Sequence, residues 1–419
     1  VSGRSLVGLR YSGPFDELPL QQGVEHRVIE WDEVSESEGT GIVHSAPGAG
    51  KEDFALGKRF GLPIIAPLDE FGRFLEGFGG LSGMSVFDVN VPIYESLKNK
   101  GIFYHLEDYR HRYPFCWRCG TELVFRLVDE WFISMDELRE LIAEAARKIR
   151  WIPGFGLQRE LDWLRNMDDW MISKKRYWGL ALPIYKCDCG QFEIVGSENE
   201  LKDRAVEGWE GFNGHSPHRP WIDAVKIECS GCGNKISRIK DVGNPWLDAG
   251  IVPFSTISYR HDRTYWERWY PADMISESFP GQFRNWFYSL LTMSTVLENV
   301  APCRTVFSYA LMRDENGEEM HKSKGNAIWF EDAADQMGVD AMRWLYARCN
   351  PTTNLSFGPG TADEVRRRFI IPLWNVYSFF VTYANIDGFD PTLRPAQDST
   401  ATRAEEPASE LDRWVLSEL

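Results

Sequence analysis

Lysine, serine, lysine and glycine follow one another at Lys322-Ser323-Lys324-Gly325, inside the stretch Glu315–Phe330, ENGEEMHKSKGNAIWF. Ammonium groups on a short loop meet phosphates as compact charges, and a glycine lets backbone approach a ligand closely. A solvated turn is the plain alternative, because Asp-Glu-Asn-Gly is a turn signal and charged loops are common. Two elements would hold the loop. Thr305–Arg313 is apolar and β-branched and predicts a buried strand. Glu331–Arg348 spaces Ala334, Met337, Ala341, Trp344 and Leu345 as a helix does.

A second chemistry belongs to thiols. Cys187-Asp-Cys189-Gly190 and Cys229-Ser-Gly-Cys232-Gly233 are two close pairs, each ending in glycine. Four thiolates on two knuckles predict a closed zinc site, structural because no position stays open. Disulfides are the alternative, but nothing in the sequence points to an oxidising compartment. Cys116 and Cys119 form a Cys-x-x-Cys knuckle, half of a possible second zinc site, with no further ligand nearby. A redox role for it would need a thioredoxin-like βαβ setting, which is absent. Cys303 and Cys349 stand alone and read as small core hydrophobes. His111, His215 and His218 fall in no motif and receive no role.

The 419 residues call for two or three domains. With 43% hydrophobic and 14% aromatic residues the chain is globular. A formal charge of -16 excludes a generally basic nucleic-acid coat but leaves room for local basic patches. The first residues, VSGRSLVGLRYSG, hold no apolar signal region. Phe369–Ala384 is interrupted by Pro372, Asn375, Ser378 and Thr382, falls short of the roughly 20 residues of a membrane span, and predicts a buried helix. Residues 137–152 have helical periodicity and read as scaffold.

Met320–Asn326 resembles the Lys-Met-Ser-Lys-Ser signature loop of class I aminoacyl-tRNA synthetases. In that family the loop holds the ATP triphosphate and stabilises charge as pyrophosphate leaves. The resemblance implies Lys322 and Ser323 as catalytic residues, Lys322, Ser323 and Lys324 as ATP-binding residues, and ATP with Mg²⁺ as the nucleotide. Two positions depart from the pattern: Glu319 replaces the first lysine and His321 the first serine.

Four further segments resemble the same family. Gly39–Asp53, GTGIVHSAPGAGKED, reads as a buried strand Gly41–His44, a turn and a helix start, with Asp53 where a carboxylate suits the helix dipole. A phosphate loop at Gly50-Lys51 fails, since the pattern needs glycine at Ser45 and Ser or Thr at Glu52. The segment is similar to the editing motif shared by isoleucyl-, valyl- and leucyl-tRNA synthetases. That implies Asp53 anchors the amino group of a misattached amino acid and His44 shapes the hydrolytic pocket. Editing is needed because one methylene is rejected poorly in a single binding step. Trp170–Gly179, WMISKKRYWG, is by itself an aromatic core edge with a basic strip. It resembles the family's Trp-x-x-Ser-Arg-x-x-x-Trp-Gly segment near the tRNA acceptor end, with Lys174 for arginine. Lys174, Lys175 and Arg176 would meet phosphates and Tyr177 and Trp178 would stack. Asp241–Gly250, DVGNPWLDAG, matches an amino-acid-pocket segment at Trp246 and Asp248, with Ala249 for serine. Asp273–Phe287, DMISESFPGQFRNWF, places Glu277 at the end of a short strand, where open α/β sheets bind ligands. It resembles Glu-Gly-x-Asp-Gln-x-Arg-Gly-Trp-Phe, the adenylate contact. Glu277, Gln282, Arg284 and Trp286 carry over; Gly281 replaces the aspartate and Asn285 the second glycine, in a segment one residue longer.

The run Leu373–Asn385, LWNVYSFFVTYAN, is closer to isoleucyl-tRNA synthetases than to their valyl or leucyl relatives. Arg366–Arg368 would meet tRNA phosphates or simply solvate a helix start. The fold class expected is α/β: the second half of a class I Rossmann-like catalytic domain, preceded by part of a β-rich editing domain, with a zinc-ribbon insertion and a C-terminal helical segment. Residues 1–105 would end the editing domain. Residues 106–350 would hold the catalytic half, with the zinc knuckles at about 185–240. Residues 351–386 would form a helical stem contact, 387–409 a linker, and 410–419 the start of an anticodon-binding domain. The function implied is a fragment of an isoleucine–tRNA ligase with editing of valyl-tRNA. Its partners would be tRNA(Ile), isoleucine and an upstream half carrying the absent His-Ile-Gly-His motif, in the cytoplasm and away from membranes. A stand-alone editing hydrolase and a non-catalytic tRNA-binding zinc module remain as alternatives.

Overall fold

The computed structural model describes the chain apart from residues 1, 35–39, 109, 117–118, 391, 393–408 and 419. Most of the expected 387–409 linker, and Gly39 of the editing motif, lie outside the described residues. The chain divides into two compact units, Val1–Glu130 and Trp131–Leu419.

In the first unit the helix Lys51–Phe60 carries Glu52 and Asp53 in its first turn and Lys58 and Arg59 in its last, which suits the helix dipole at both ends. Gly61 closes it in the left-handed conformation (φ 64°). A second helix runs Asn90–Asn99. The expected β-rich character does not appear: the unit has no strand among its described residues before Glu130, only isolated bridges such as Arg10↔Arg27, Leu68↔Phe74 and Arg73↔Ser85. The predicted buried strand Gly41–His44 is likewise an unpaired stretch, with Ile42 68% and Val43 55% exposed. β-branched residues such as Ile42 and Val43 favour extended backbone, but a strand exists only where a neighbour takes up its hydrogen bonds.

The second unit is built on a parallel sheet with Cys303–Tyr309 between Ala272–Ser278 and Arg150–Ile152. Its core gathers Ile142, Trp151, Leu164, Phe287, Leu291 and Val306. The helix Trp286–Glu298 is apolar almost all round because eight of its residues are buried. The helix Pro245–Ser255 lies so close to it that a Cβ on Gly250 would sit 2.7 Å from the Ser289 carbonyl oxygen. The helix predicted over 137–152 stops at Arg147, and Arg150–Ile152 forms a sheet strand instead. Pairing with Cys303–Tyr309 and the following Pro153 outweigh the helical spacing there.

Between these elements stands a small module with its own core of Tyr185, Phe212, Ile222, Val225, Ile227 and Ile236. After the sheet, Phe330–Met337 and Val339–Arg348 are two helices rather than one. Gly338, at φ 76°, separates them. They pack with Pro359–Val365 around Met337, Ala341, Leu345 and Val365. The helix Ile371–Ile386 then contradicts the buried reading of Phe369–Ala384. None of its residues is buried, and Trp374 is 65% and Phe379 67% exposed. It continues Pro359–Val365 into 28 unbroken residues, long and apolar enough by length and composition to cross a bilayer. Hydropathy reports what a helix can bury, not whether the chain supplies the covering surface.

Candidate functional site

Glu277 occupies the carboxyl end of Ala272–Ser278, opposite Ser308 of the neighbouring parallel strand. Ser308 Oγ donates to the Glu277 carbonyl at 2.7 Å, and Glu277 Oε1 accepts from the Ser278 N–H at 2.7 Å. The chain turns through Phe279–Gln282, and Gln282 Oε1 accepts from the Trp286 N–H at 3.2 Å. Gln282 therefore serves the start of helix Trp286–Glu298 with that oxygen. Asn244 does the same for Pro245–Ser255, accepting from the Trp246 N–H at 3.0 Å. Trp246 and Trp286 pack against one core cluster. Asp248 follows in the first turn; partial burial raises its carboxyl pKa, opposed by the nearby His218.

Cys303–Tyr309, parallel to the Glu277 strand, leads through Met312–Arg313 into the lysine loop. Asp314–Gly317 turns back so that Glu318 faces Asp314. Asn326 locks the loop from its far end. Its Nδ2 donates to Asp314 Oδ2 at 2.9 Å and to the Glu319 carbonyl at 3.2 Å, while its Oδ1 accepts from the His321 N–H at 2.9 Å. The Asn326 amide, then the Glu318 N–H, hold the Asp314 carboxyl below its ordinary pKa. Lys322–Lys324 is a single 3₁₀ turn closed by Gly325 at φ 72°. Lys322 Nζ lies 4.5 Å from the Trp329 ring centroid, and Lys324 is exposed. The two residues that depart from the signature face each other: Glu319 lies 3.5 Å from His321 and 4.0 Å from Arg313.

The thiols Cys187, Cys189, Cys229 and Cys232 converge, all four sulfurs within 4.8 Å of one another. Cys187 and Cys232 are 3.4 Å apart and Cys189 and Cys229 3.7 Å. A tetrahedron with Zn–S bonds of about 2.3 Å has edges of about 3.8 Å, so the spacing fits zinc. Gly190 (φ 93°) and Gly233 (φ 75°) end the two knuckles in a conformation glycine favours. Amides of Gly231 and Cys232 point at the Cys229 sulfur and bring its pKa down to about 7. All described cysteines are free of disulfides. Cys119 Sγ lies 3.3 Å from Thr121 Oγ1. Hydrogen bonds from Thr121 to the sulfur, the side chain first and then the backbone, lower the Cys119 pKa to about 7. No third ligand joins Cys116 and Cys119 among the described residues.

The basic strip is only partly available. Lys174 lies in the short strand Ser173–Lys174 paired with Val242–Gly243, and Lys175 Nζ is held by the Asp241 carboxylate at 2.8 and 3.0 Å. Arg176, Tyr177 and Trp178 are exposed. Against them lies a loop that the sequence left without a role. His218 stacks on Trp178 (4.7 Å, 12°), His215 stacks on Trp221 (3.9 Å, 8°), and Arg219 covers Tyr177 at 4.6 Å. The signal available was the clustering of His, Trp and Arg between Phe212 and Asp223. Arg366 and Arg368 pair with Asp363 and Glu364 on their own helix. Asp53 is half-buried in the first turn of its helix and His44 lies exposed upstream. No hydrogen bond or ion pair joins the two among the described residues.

Residues 24–357 match the family model of tRNA synthetases class I (I, L, M and V). The chain is similar to the isoleucine–tRNA ligase of Methanothermobacter thermautotrophicus, 38% identical over 423 residues, covering 100% of this chain and 40% of that protein. It is equally similar to the isoleucine–tRNA ligase of Thermus thermophilus, 38% over 424 residues, covering 100% of this chain and 39% of that protein. The chain thus spans about 40% of the length of these relatives. A solved methionyl-tRNA synthetase of Mycobacterium tuberculosis in complex with methionyl-adenylate superposes with a TM-score of 0.40 at 16% identity, over 61% of this chain and 40% of that one. On the family match, which spans the parallel sheet, the lysine loop and the thiol cluster, this chain belongs to the class I tRNA synthetases.

Proposed function

We propose that this chain is part of an isoleucine–tRNA ligase that activates isoleucine with ATP, transfers it to tRNA(Ile) and hydrolyses mischarged valyl-tRNA. The observation that carries this reading is that Glu277 and the Lys322 loop leave the carboxyl ends of adjacent parallel strands, where open α/β sheets bind ligands. The end-to-end likeness to isoleucine–tRNA ligases supports isoleucine as the amino acid.

In this reading the isoleucine carboxylate attacks the α-phosphate of ATP and pyrophosphate leaves. Glu277 binds the adenylate beside Trp246, Asp248, Gln282 and Trp286, and Lys322, with Ser323 and Lys324, meets the departing phosphates. The hold of Trp329 on Lys322 is weak enough to release it. An exposed cation–π contact is worth about 0.5–1 kcal/mol, and a hydrogen bond to a charged group about 1.5–3 kcal/mol. Mg²⁺ would arrive with the ATP phosphates; the thiol cluster is the one metal-ligand group among the described residues. Zinc on that cluster would supply structure alone, since four thiolates leave no open position. Asp53 and His44 would serve editing, and Lys174, Lys175 and Arg176 the tRNA phosphates. We place the protein in the cytoplasm, where thiols stay reduced. We read the exposed helix Ile371–Ile386 as a protein- or RNA-facing surface, because Asn375, Ser378, Thr382 and Asn385 interrupt it.

The test is ATP–pyrophosphate exchange with isoleucine. The chain should exchange negligibly alone and gain activity when the preceding segment of a curated relative is added in trans. Deacylation of valyl-tRNA with no exchange under either condition would overturn the ligase reading and favour an editing hydrolase; strong exchange without that segment would overturn only the dependence on it.

A further inference from the structure

We infer that Glu315 is a positioning residue for the lysine loop: its carboxylate fastens the root of the loop to the start of the long helix Pro359–Ile386, and so fixes the place of Lys322. The inference rests on the reading given above for what the loop does, which is to meet ATP phosphates. Glu315 then affects activation without touching the nucleotide. The first N–H groups of a helix lack acceptors within it, and the residue before the helix commonly supplies one from its side chain. Here that residue is Gly358, which has no side chain to offer. Glu315, 46 residues earlier, supplies the acceptor instead: its Oε1 accepts from the Thr361 N–H at 3.0 Å. A carboxylate also suits the positive end of the helix dipole.

Two glycines make room for that carboxylate. A Cβ on Gly358 would run into Glu315 Cγ, and one on Gly360 would fall 2.8 Å from Glu315 Oε1. Neither glycine is required by its backbone. Gly358 is extended at φ 165°, which any residue adopts, and Gly360 is helical, where alanine is the better helix former. Space for Glu315 is what the two positions share. From Glu315 the loop is reached through a chain of hydrogen bonds. The adjacent Asp314 accepts from the Asn316 and Glu318 N–H groups at 3.0 and 2.9 Å and from Asn326 Nδ2 at 2.9 Å. Asn326 in turn accepts at 2.9 Å from the N–H of His321, the residue before Lys322. Backbone pairing ties Met312–Arg313 to Leu355–Ser356, and the Phe357 N–H donates to the Arg313 carbonyl at 2.8 Å. Glu315 carries that tie past the end of the ladder to the helix. Its side chain is exposed, so water competes for the carboxylate and the bond is worth a modest factor.

The test reads loop order in the full chain by amide hydrogen exchange, and loop function by ATP–pyrophosphate exchange in the complemented enzyme. The amides of Glu318, His321 and Lys324 are the reporters, since each is hydrogen-bonded inside the loop. Glu315→Ala should speed their hydrogen exchange and lower kcat/KM for ATP about threefold to tenfold, the size of one net hydrogen bond, with KM for isoleucine unchanged. Glu315→Gln keeps an acceptor oxygen and should restore most of both. Gly360→Ala adds a methyl group to the helix and leaves the loop sequence alone. It should displace the carboxylate and reproduce Glu315→Ala, which covers the case in which Glu315→Ala does not fold. In a Glu315→Ala background, Gly360→Ala should change nothing further. Three results would overturn the inference: parent-rate hydrogen exchange of the three amides in folded Glu315→Ala, a Gly360→Ala effect equal in both backgrounds, or a complemented enzyme whose activation ignores both variants. If the amides respond as expected while the complemented parent shows no pyrophosphate exchange, the tie to the helix stands and the ligase reading falls.

Discussion

Zinc removal should unfold one module and leave the parallel sheet intact. Half of the thiol cluster belongs to the core of the small module: Cys187 is 3% and Cys229 1% exposed, packed with Tyr185, Ile227 and Ile236, while Cys189 and Cys232 are exposed. A core in a unit of fewer than about 70 residues rarely supplies more than ~3–5 kcal/mol. Structural zinc on cysteines supplies about 10 kcal/mol or more. The metal term is the larger, so chelation should cost the module its fold. The sheet core around Trp151, Phe287 and Val306 is a separate cluster and should survive. Thiol counting gives the assay. Before chelation, Cys116, Cys119 and Cys349 should react with a thiol reagent; afterwards Cys187, Cys189, Cys229 and Cys232 should join them. Cys303 is the internal control. It is 2% exposed, burial pushes its pKa up to about 12, and it should stay silent throughout. Mass spectrometry of limited digests should place new cuts between residues 187 and 232, and metal analysis should find one zinc per chain. Protein made in zinc-supplemented medium that contains no zinc, reacts at all four cluster thiols and still resists cleavage there would refute the reasoning.

Three further outcomes are expected. Lys322→Ala in the complemented enzyme should slow isoleucine activation by a factor of ~10²–10³ with isoleucine affinity little changed, because a preorganised charge at a developing anion is lost; steady-state exchange at varied isoleucine checks it. Asp53→Ala should raise release of valyl-tRNA and spare isoleucine activation, and clearance of valyl-tRNA at the parent rate would reduce Asp53 to a helix-start carboxylate. Glu160 is fully buried with neither carboxyl oxygen hydrogen-bonded among the described residues, and burial raises its pKa well above the ordinary value. The folded state then keeps a proton that the unfolded state loses, so this contribution is fully present below the unfolded pKa and is lost as pH rises towards the folded one. Glu160→Gln should therefore raise Tm near neutral pH and lose that advantage near pH ~4, the unfolded carboxyl range; a Tm difference independent of pH would show that Glu160 does not titrate this way.

The sequence alone determined what rests on spacing within one short stretch. Cys187, Cys189, Cys229 and Cys232 were legible because a knuckle needs only thiols and a glycine turn. The lysine loop was legible between its strand and helix, and Asp53 at a helix start, because caps and turns are local. What depends on a partner distant in sequence was decided only by the tertiary structure. Periodicity cannot see a hydrogen-bonding neighbour, so Arg150–Ile152 became a strand beside Cys303–Tyr309 while Gly41–His44 stayed unpaired. It cannot see a covering surface either, so Ile371–Ile386 proved exposed. The engagement of Lys175 by Asp241, the facing of Glu319 and His321, and the stacking of His215 and His218 on tryptophans all arise from close approach in space. Packing forces act over a few ångströms regardless of chain separation, and no local pattern of residues encodes them.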